Sequence, residues 1–433
     1  MNLRIPASIV ASLAIVLAVS NLALDQSQSN RYSENFPSVI CPPAVSDARN
    51  QISVPTSKTK YRVVTPGKFG MRATNSLQIG IGSDATLFDA MGVSPLTVQT
   101  GSSGWAGAAI CSAPQSDSWF VGGSADISSR DRLFVVNSGL SSGSVDIEVW
   151  TESGPQLPVS HVISGNSVKS FSVDALAPGA KILVIHVATR AGRISSYLLD
   201  VRGKGLRTQG GDIVNAAPSP STDIMIPGIP HQVDKSRSSA HMLRILSPGN
   251  ADANIRVDLL SKDGVFAPAG IDGELIRHGR VTEYQLNPTL AAGSFALRIR
   301  SDQPVIAAVN TSAKVHGSSD IVWTTAAPQL EPLAIAITGA PLALVFAGSE
   351  IEVHISVRLA NGKVSDVTIS GNDIASWRMP ANAVTLRVTS VGRKTFGSLL
   401  VTTNNGMATA PLIAGSQIER AVLPGSNIQV INP

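Results

Sequence analysis

The sequence predicts an all-β protein, with immunoglobulin-like β-sandwich domains in tandem behind a single N-terminal membrane-inserting helix. Three observations carry this expectation. Apolar and polar residues alternate at period two in segment after segment, which is the spacing of half-buried strands. Glycine (37) and proline (26) interrupt those segments at the density of tight turns, while charged residues make up only 15% of the 433, so long Glu- and Lys-rich surface helices are nearly absent. The same strand pattern then returns roughly every 100 residues, the size of a small sandwich domain rather than of a propeller blade.

In chain order, the first element is the uncharged run from Ile5 to Leu24 that follows Arg4. Twenty residues at about 1.5 Å each cover the roughly 30 Å hydrocarbon layer, and the basic residue ahead of them keeps that end cytoplasmic, so the remainder is exported. Two readings stay open, a signal peptide cleaved near Ala18-Val19-Ser20 and an uncleaved anchor, which the length of the run favours. Residues 25–50 are polar with little periodicity and read as a linker. The two cysteines, Cys41 and Cys111, cannot supply four metal ligands; in an exported chain they are expected to form a disulfide, two buried thiols being the alternative.

Beyond the linker the chain repeats. Residues 133–154 lie over 243–264 without a gap: Val145, Ile147 and Val149 meet Ile255, Val257 and Leu259, and Gly154 meets Gly264. A fainter copy places 353–362 over 145–154, repeats Ile163-Ser-Gly-Asn166 as Ile369-Ser-Gly-Asn372, and sets Trp377 on Phe171. The hairpin turns Ser153-Gly154, Asp263-Gly264 and Asn361-Gly362 supply the glycine that positive φ requires. Ala-Pro at 113–114, 217–218, 327–328 and 410–411 punctuates the repeats. The expected division is a small N-terminal β module over 51–125, with a short helix near Asp84–Met91, followed by sandwich repeats over 126–230, 231–330 and 331–433.

Little in this pattern points to chemistry. Gly139-Leu140-Ser141-Ser142-Gly143 spells a nucleophile elbow, yet a period-two strand follows Ser141 where an elbow needs a helix, and the second repeat has Asn250-Ala251-Asp252-Ala253 in its place. Ser141 is therefore read as a turn tip. No zinc, calcium or nucleotide motif occurs, and no metal or other cofactor is expected. His186 and His354 read as half-buried strand residues. Asp212 in GGDIV and Asp320 in SSDIV read as turn residues of separate domains, too far apart for paired carboxylate chemistry. Trp150 aligns with Leu260 and Arg358, a variable position, which makes it the candidate ligand contact, able to stack on a sugar ring. The net charge of +4 comes without a basic cluster, so nucleic acid is not an expected partner.

The stretch CSAPQSDSWFVGGSA (111–125), the VDIEVWTESG and IRVDLLSKDG units, IPGIP (226–230) and RIRSDQPVIAAV (298–309) together resemble the large secreted proteins of actinobacteria grouped as a domain family of unknown function. That resemblance implies an exported, membrane-tethered β protein of a Gram-positive envelope and offers no catalytic residues. The expectation is thus a non-enzymatic structural or adhesive β-sandwich stalk, anchored through residues 5–24 or secreted, whose partner is an envelope polymer or another envelope protein. The alternative is a carbohydrate-binding accessory factor for envelope polysaccharide assembly.

Overall fold

The computed structural model describes residues 38–415, apart from 46, 90–91, 205–206 and 235–236. The expected membrane segment, residues 5–24, lies outside them. Among the described residues no helix is long and apolar enough to cross a membrane.

The described chain is nearly all β and forms one compact unit. Its strands fall into four blocks with one wiring. In the second block the eight strands are Asp117–Val121, Arg132–Asn137, Gly143–Thr151, a fourth in two pieces (Gly154–Pro155 and Val159–Ile163), Ser167–Ser172, Leu183–Ala191, Ile194–Lys204 and Arg207–Val214. Numbered within the block, they pair antiparallel in the orders 1-6-3-4 and 5-2-7-8. The pairings of the first block, Ser38 to Ile110, give the same two orders, as do those of the third, Ser221 to Thr325, and the fourth, Leu333 to Pro411. Where a block has fewer separate strands, one long strand serves both sheets: Gly293–Val315 is strands six and seven of the third block, and Leu342–Leu359 is strands two and three of the fourth.

The alternation in the sequence builds these layers. In Gly143–Thr151 every second residue is buried, and Val145, Ile147 and Val149 meet Leu133 and Val135 of the other sheet in one apolar cluster. The aligned strands Ala253–Ser261 and 351–359 do the same. Gly154, Gly264 and Gly362 turn the chain at φ of +124°, +116° and +83°, a conformation that costs other residues a Cβ clash.

Four features depart from the sequence expectation. Residues 38–50 are not wholly linker, since Ser38–Cys41 is the first strand of the first block and Val39, Ile40 and Cys41 are fully buried. Thr86–Asp89 is a strand where a helix was expected, and the first block is a complete eight-strand copy, not a small module. The first strands of the second and third blocks, Asp117–Val121 and Ser221–His231, belong with the residues that follow them, which moves those two expected boundaries back by one strand; the fourth block begins at Leu333, within its expected range. Finally, the blocks do not close separate cores. One apolar cluster runs through the second and third blocks, and another joins Leu96, Ala106 and Ile110 of the first to the fourth. First and fourth also share a sheet edge, where Leu333–Ala336 pairs in parallel with Ser94–Gly101.

The blocks close into a ring. Arg62 of the first donates to Ser138 O of the second at 2.8 Å, and Val281 N of the third donates to Thr151 O of the second at 3.0 Å. Leu260 of the third packs with Ala347 of the fourth, and Arg358 of the fourth donates to Pro55 O of the first at 2.9 Å. At the centre lie the four eighth strands, Trp105–Ile110, Arg207–Val214, Ser318–Thr325 and Met407–Pro411. They are the strands that lead into, or end on, the four Ala-Pro pairs. In the second and third blocks the alanine of the pair bonds back to its own first strand, Ala217 N to Trp119 O at 2.8 Å and Ala327 N to Met225 O at 2.9 Å; the proline that follows has no donor and ends the pairing.

The expected disulfide is formed. Cys41 and Cys111, with Cα atoms 4.5 Å apart, tie the first strand of the first block to the segment after its eighth. Beside them Ile40 pairs with Ser112, and Ala113 N donates to Gly415 O at 2.6 Å, so the two ends of the described chain meet at the disulfide.

Candidate functional site

Trp150 lies on the outward face of the second block's 1-6-3-4 sheet. Strands three, six and one place Glu148, His186 and Trp119 in direct register there, and Trp150 follows Glu148 on the same face by the two-residue repeat. The Trp119 ring stacks with His186 at 4.0 Å and with Trp150 at 5.4 Å between centroids. His186 Nδ1 bonds Glu148 Oε2 at 2.8 Å, and its Nε2 bonds Asp117 Oδ1. Asp117 Oδ2 accepts from Trp119 Nε1 at 3.0 Å and from Ser219 Oγ at 2.9 Å. Burial of the imidazole pulls its pKa down, but the two carboxylate hydrogen bonds outweigh that and raise His186 above the usual histidine value. The bond from His186 is in turn the main reason Asp117 sits below the ordinary carboxylate range.

This arrangement limits the chemistry. Both ring nitrogens of His186 are engaged by carboxylates, so neither is presented to the outside as a base. What the face offers is ring edges beside carboxylates that are roughly one-third exposed, Asp117 at 39% and Glu148 at 35%. The positions equivalent to Trp150 are not free surface: Leu260 and Arg358 both hold neighbouring blocks together.

The other sequence candidates fall elsewhere. Ser141 sits in the bend between two strands, where its carbonyl accepts from Asn137 Nδ2 at 2.9 Å. His354 lies on an exposed sheet face beside Thr368 and Glu352. Asn310-Thr311-Ser312, a glycosylation triplet by sequence, lies within a strand, with Asn310 and Thr311 buried.

Asp212 and Asp320 correct the sequence reading most sharply. Both are buried inside eighth strands and face each other's blocks. Asp320 accepts four backbone N–H groups, one from each block: Ala106 N at 3.3 Å, Gly211 N at 3.1 Å, Ile321 N at 2.8 Å and Met407 N at 3.0 Å. Asp212 accepts Trp323 N at 2.7 Å, so each aspartate bonds the strand that carries the other. Burial pushes Asp320 up to about 7 against the pull of those donors. Next to this hub Asp200 pairs with Arg202 and accepts Trp323 Nε1 at 2.7 Å. Arg244, itself buried, donates to Gly123 O and Leu183 O across the same junction at 2.6 and 3.0 Å.

A protein-family model described as a family of unknown function (DUF5719) matches residues 79–376. No curated protein matches the chain. Among solved structures, a Thermotoga maritima protein titled 1070 aligns at 16% identity over 25% of this chain and 93% of its own, with a TM-score of 0.17. A Streptomyces avermitilis α-L-rhamnosidase complexed with L-rhamnose aligns at 8% identity over 86% of this chain and 55% of its own, with a TM-score of 0.15. A tetra-tandem repeat from the extending region of a large adhesion protein aligns at 9% identity over 88% and 95%, with a TM-score of 0.12.

Proposed function

The chain belongs to DUF5719, a family of unknown function, and from that premise we propose that it is a non-enzymatic, exported protein of the cell envelope. It acts as a structural or adhesive scaffold of four immunoglobulin-like sandwich blocks of the actinobacterial secreted type, held to the membrane or released through residues 5–24. The observation that supports this is the Asp320 carboxylate, which bonds one strand of every block. Polar groups spent on holding blocks together favour a stiff body over a jointed stalk, and a stiff body presents its surface to a polymer or protein partner at low entropic cost. The test is fractionation of cells producing the full-length protein, with thiol trapping of Cys41 and Cys111. The protein should be oxidised and recovered with the envelope or in the medium; a reduced protein in the cytoplasm sinks the proposal, and so does a hydrolase activity abolished by Ser141→Ala.

A second reading, a glycan-binding accessory factor for envelope polysaccharide assembly, is favoured by the outward face that carries Trp150 and Trp119 beside Asp117 and Glu148. Ring edges next to carboxylate acceptors suit sugar C–H and hydroxyl groups. Retention of the full-length protein on purified cell-wall glycan should fall about tenfold with Trp150→Ala. Equal retention of both proteins removes this face from consideration.

A further inference from the structure

We propose that the cleft between the first and fourth blocks is a binding site for one uncharged sugar residue, an inference that rests on the glycan reading and gives it a second site. The cleft holds about 290 Å³, at the small end of the roughly 300–1,000 Å³ typical of ligand pockets, so it takes a single ring and not an oligosaccharide.

Two walls from distant parts of the chain form it. On the first block Gln51 and Thr100 stand on paired strands, with Gly80 opposite Gln51 leaving the space beside it open. On the fourth block the end of Phe396–Thr402 and the turn after it supply Thr402 and Asn404. That turn is fixed from within and from across the cleft: Thr403 Oγ1 accepts from Asn405 N at 3.1 Å and Gly406 N at 3.0 Å, and Asn405 Nδ2 reaches Gly101 O of the first block at 2.9 Å. The floor is equally constrained. Ser53 Oγ and Gln78 Nε2 both donate to Thr338 O, at 2.8 and 3.3 Å, and Gly339 turns at φ +72° where a Cβ would meet the Gln78 amide at 2.9 Å.

The chemistry of the lining selects the ligand. Gln51, Thr100, Thr402 and Asn404 make no side-chain hydrogen bond among the described residues, so two amides and two hydroxyls, each both donor and acceptor, stand ready in one small space. No charged side chain lines it, so a phosphate, uronate or ammonium group finds no counter-charge there. Val98, Ala340 and Pro341 add an apolar flank against which the C–H face of a sugar ring can lie.

The experiment is calorimetric titration of the full-length protein with methyl glycosides of neutral hexoses and with methyl glucuronoside, alongside the cell-wall glycan pull-down. A neutral glycoside should bind, the glucuronoside at least tenfold more weakly. Gln51→Ala with Asn404→Ala should reduce neutral binding at least tenfold at an unchanged melting temperature. Equal binding of neutral and acidic glycosides, or binding indifferent to the Gln51/Asn404 pair, overturns the site. Wall glycan retained with no glycoside bound overturns the cleft alone, and loss of both overturns the glycan reading with it.

Discussion

Asp320 and Gly406, from different blocks, are in contact because Gly406 has no side chain. A Cβ at 406 would overlap the Asp320 carboxylate and lie 2.5 Å from Ala106 N, which that carboxylate binds. Gly406→Ala must therefore move the hub or break one of its bonds, and it should destabilise the protein by about 1–3 kcal/mol, the usual cost of overpacking. Urea unfolding followed by tryptophan fluorescence measures it; an unchanged midpoint refutes the close fit.

The two central aspartates should respond differently to substitution. Asp320→Ala strands four buried N–H groups, each costing about 1–3 kcal/mol when unpaired, so the variant should fail to fold or lose most of its stability. Asp212 has one carboxylate oxygen on Trp323 N and the other without a hydrogen-bond partner, and burial raises its pKa well above the ordinary value. An amide oxygen can accept that one bond in the carboxylate's place, so Asp212→Asn should cost less than about 1 kcal/mol. Comparable losses in both variants, by the same unfolding curves, would refute the difference.

Acid should weaken the fold through His241. Its Nε2 bonds His231 Nδ1 and its Nδ1 bonds Thr311 Oγ1, both at 2.9 Å, and burial, with His231 adding to it, lowers its pKa to about 3. The unfolded chain binds a proton near pH 6.5 and the folded one does not, so stability falls as pH drops below that point, by about 2 kcal/mol at pH 5. His186, raised in the fold, has the opposite sign: its contribution is present below pH 6.5 and is lost as pH rises through its folded value. His241→Gln isolates the first effect. The stability difference between wild type and variant should shrink from pH 7.5 to 5, and a constant difference counts against the assignment.

Reducing the disulfide should cost about 4 kcal/mol, from the 70-residue separation of Cys41 and Cys111 and the entropy of closing a loop of that length. Cys41→Ser with Cys111→Ser, compared with the oxidised protein in urea, measures the loss; a change below 1 kcal/mol refutes it.

Strand identity was legible because it is local. Val145, Ile147 and Val149 alternate whatever surrounds them, and Gly154 marks its turn unaided, so the 110-residue repeat maps strand upon strand. Association was not legible. Asp212 and Asp320 follow Gly and Ser pairs and look like turn residues, while their partners are fixed by strands up to 214 positions away. The site around Trp150 was only half visible for the same kind of reason. Asp117 and Trp119 precede the apparent boundary at residue 125, and nothing local marks them as the strand that pairs with His186.

The meeting of Ile40 and Cys41 with Cys111, Ala113 and Gly415 has a mechanical consequence. Tension applied between Ser38 and Gly415 passes through the short path from Ile40 and Cys41 to Ala113, not around the circle of blocks. The last link of that path is the Ala113 N–Gly415 O hydrogen bond, which yields before the disulfide, and only then does the pull reach the centre of the molecule.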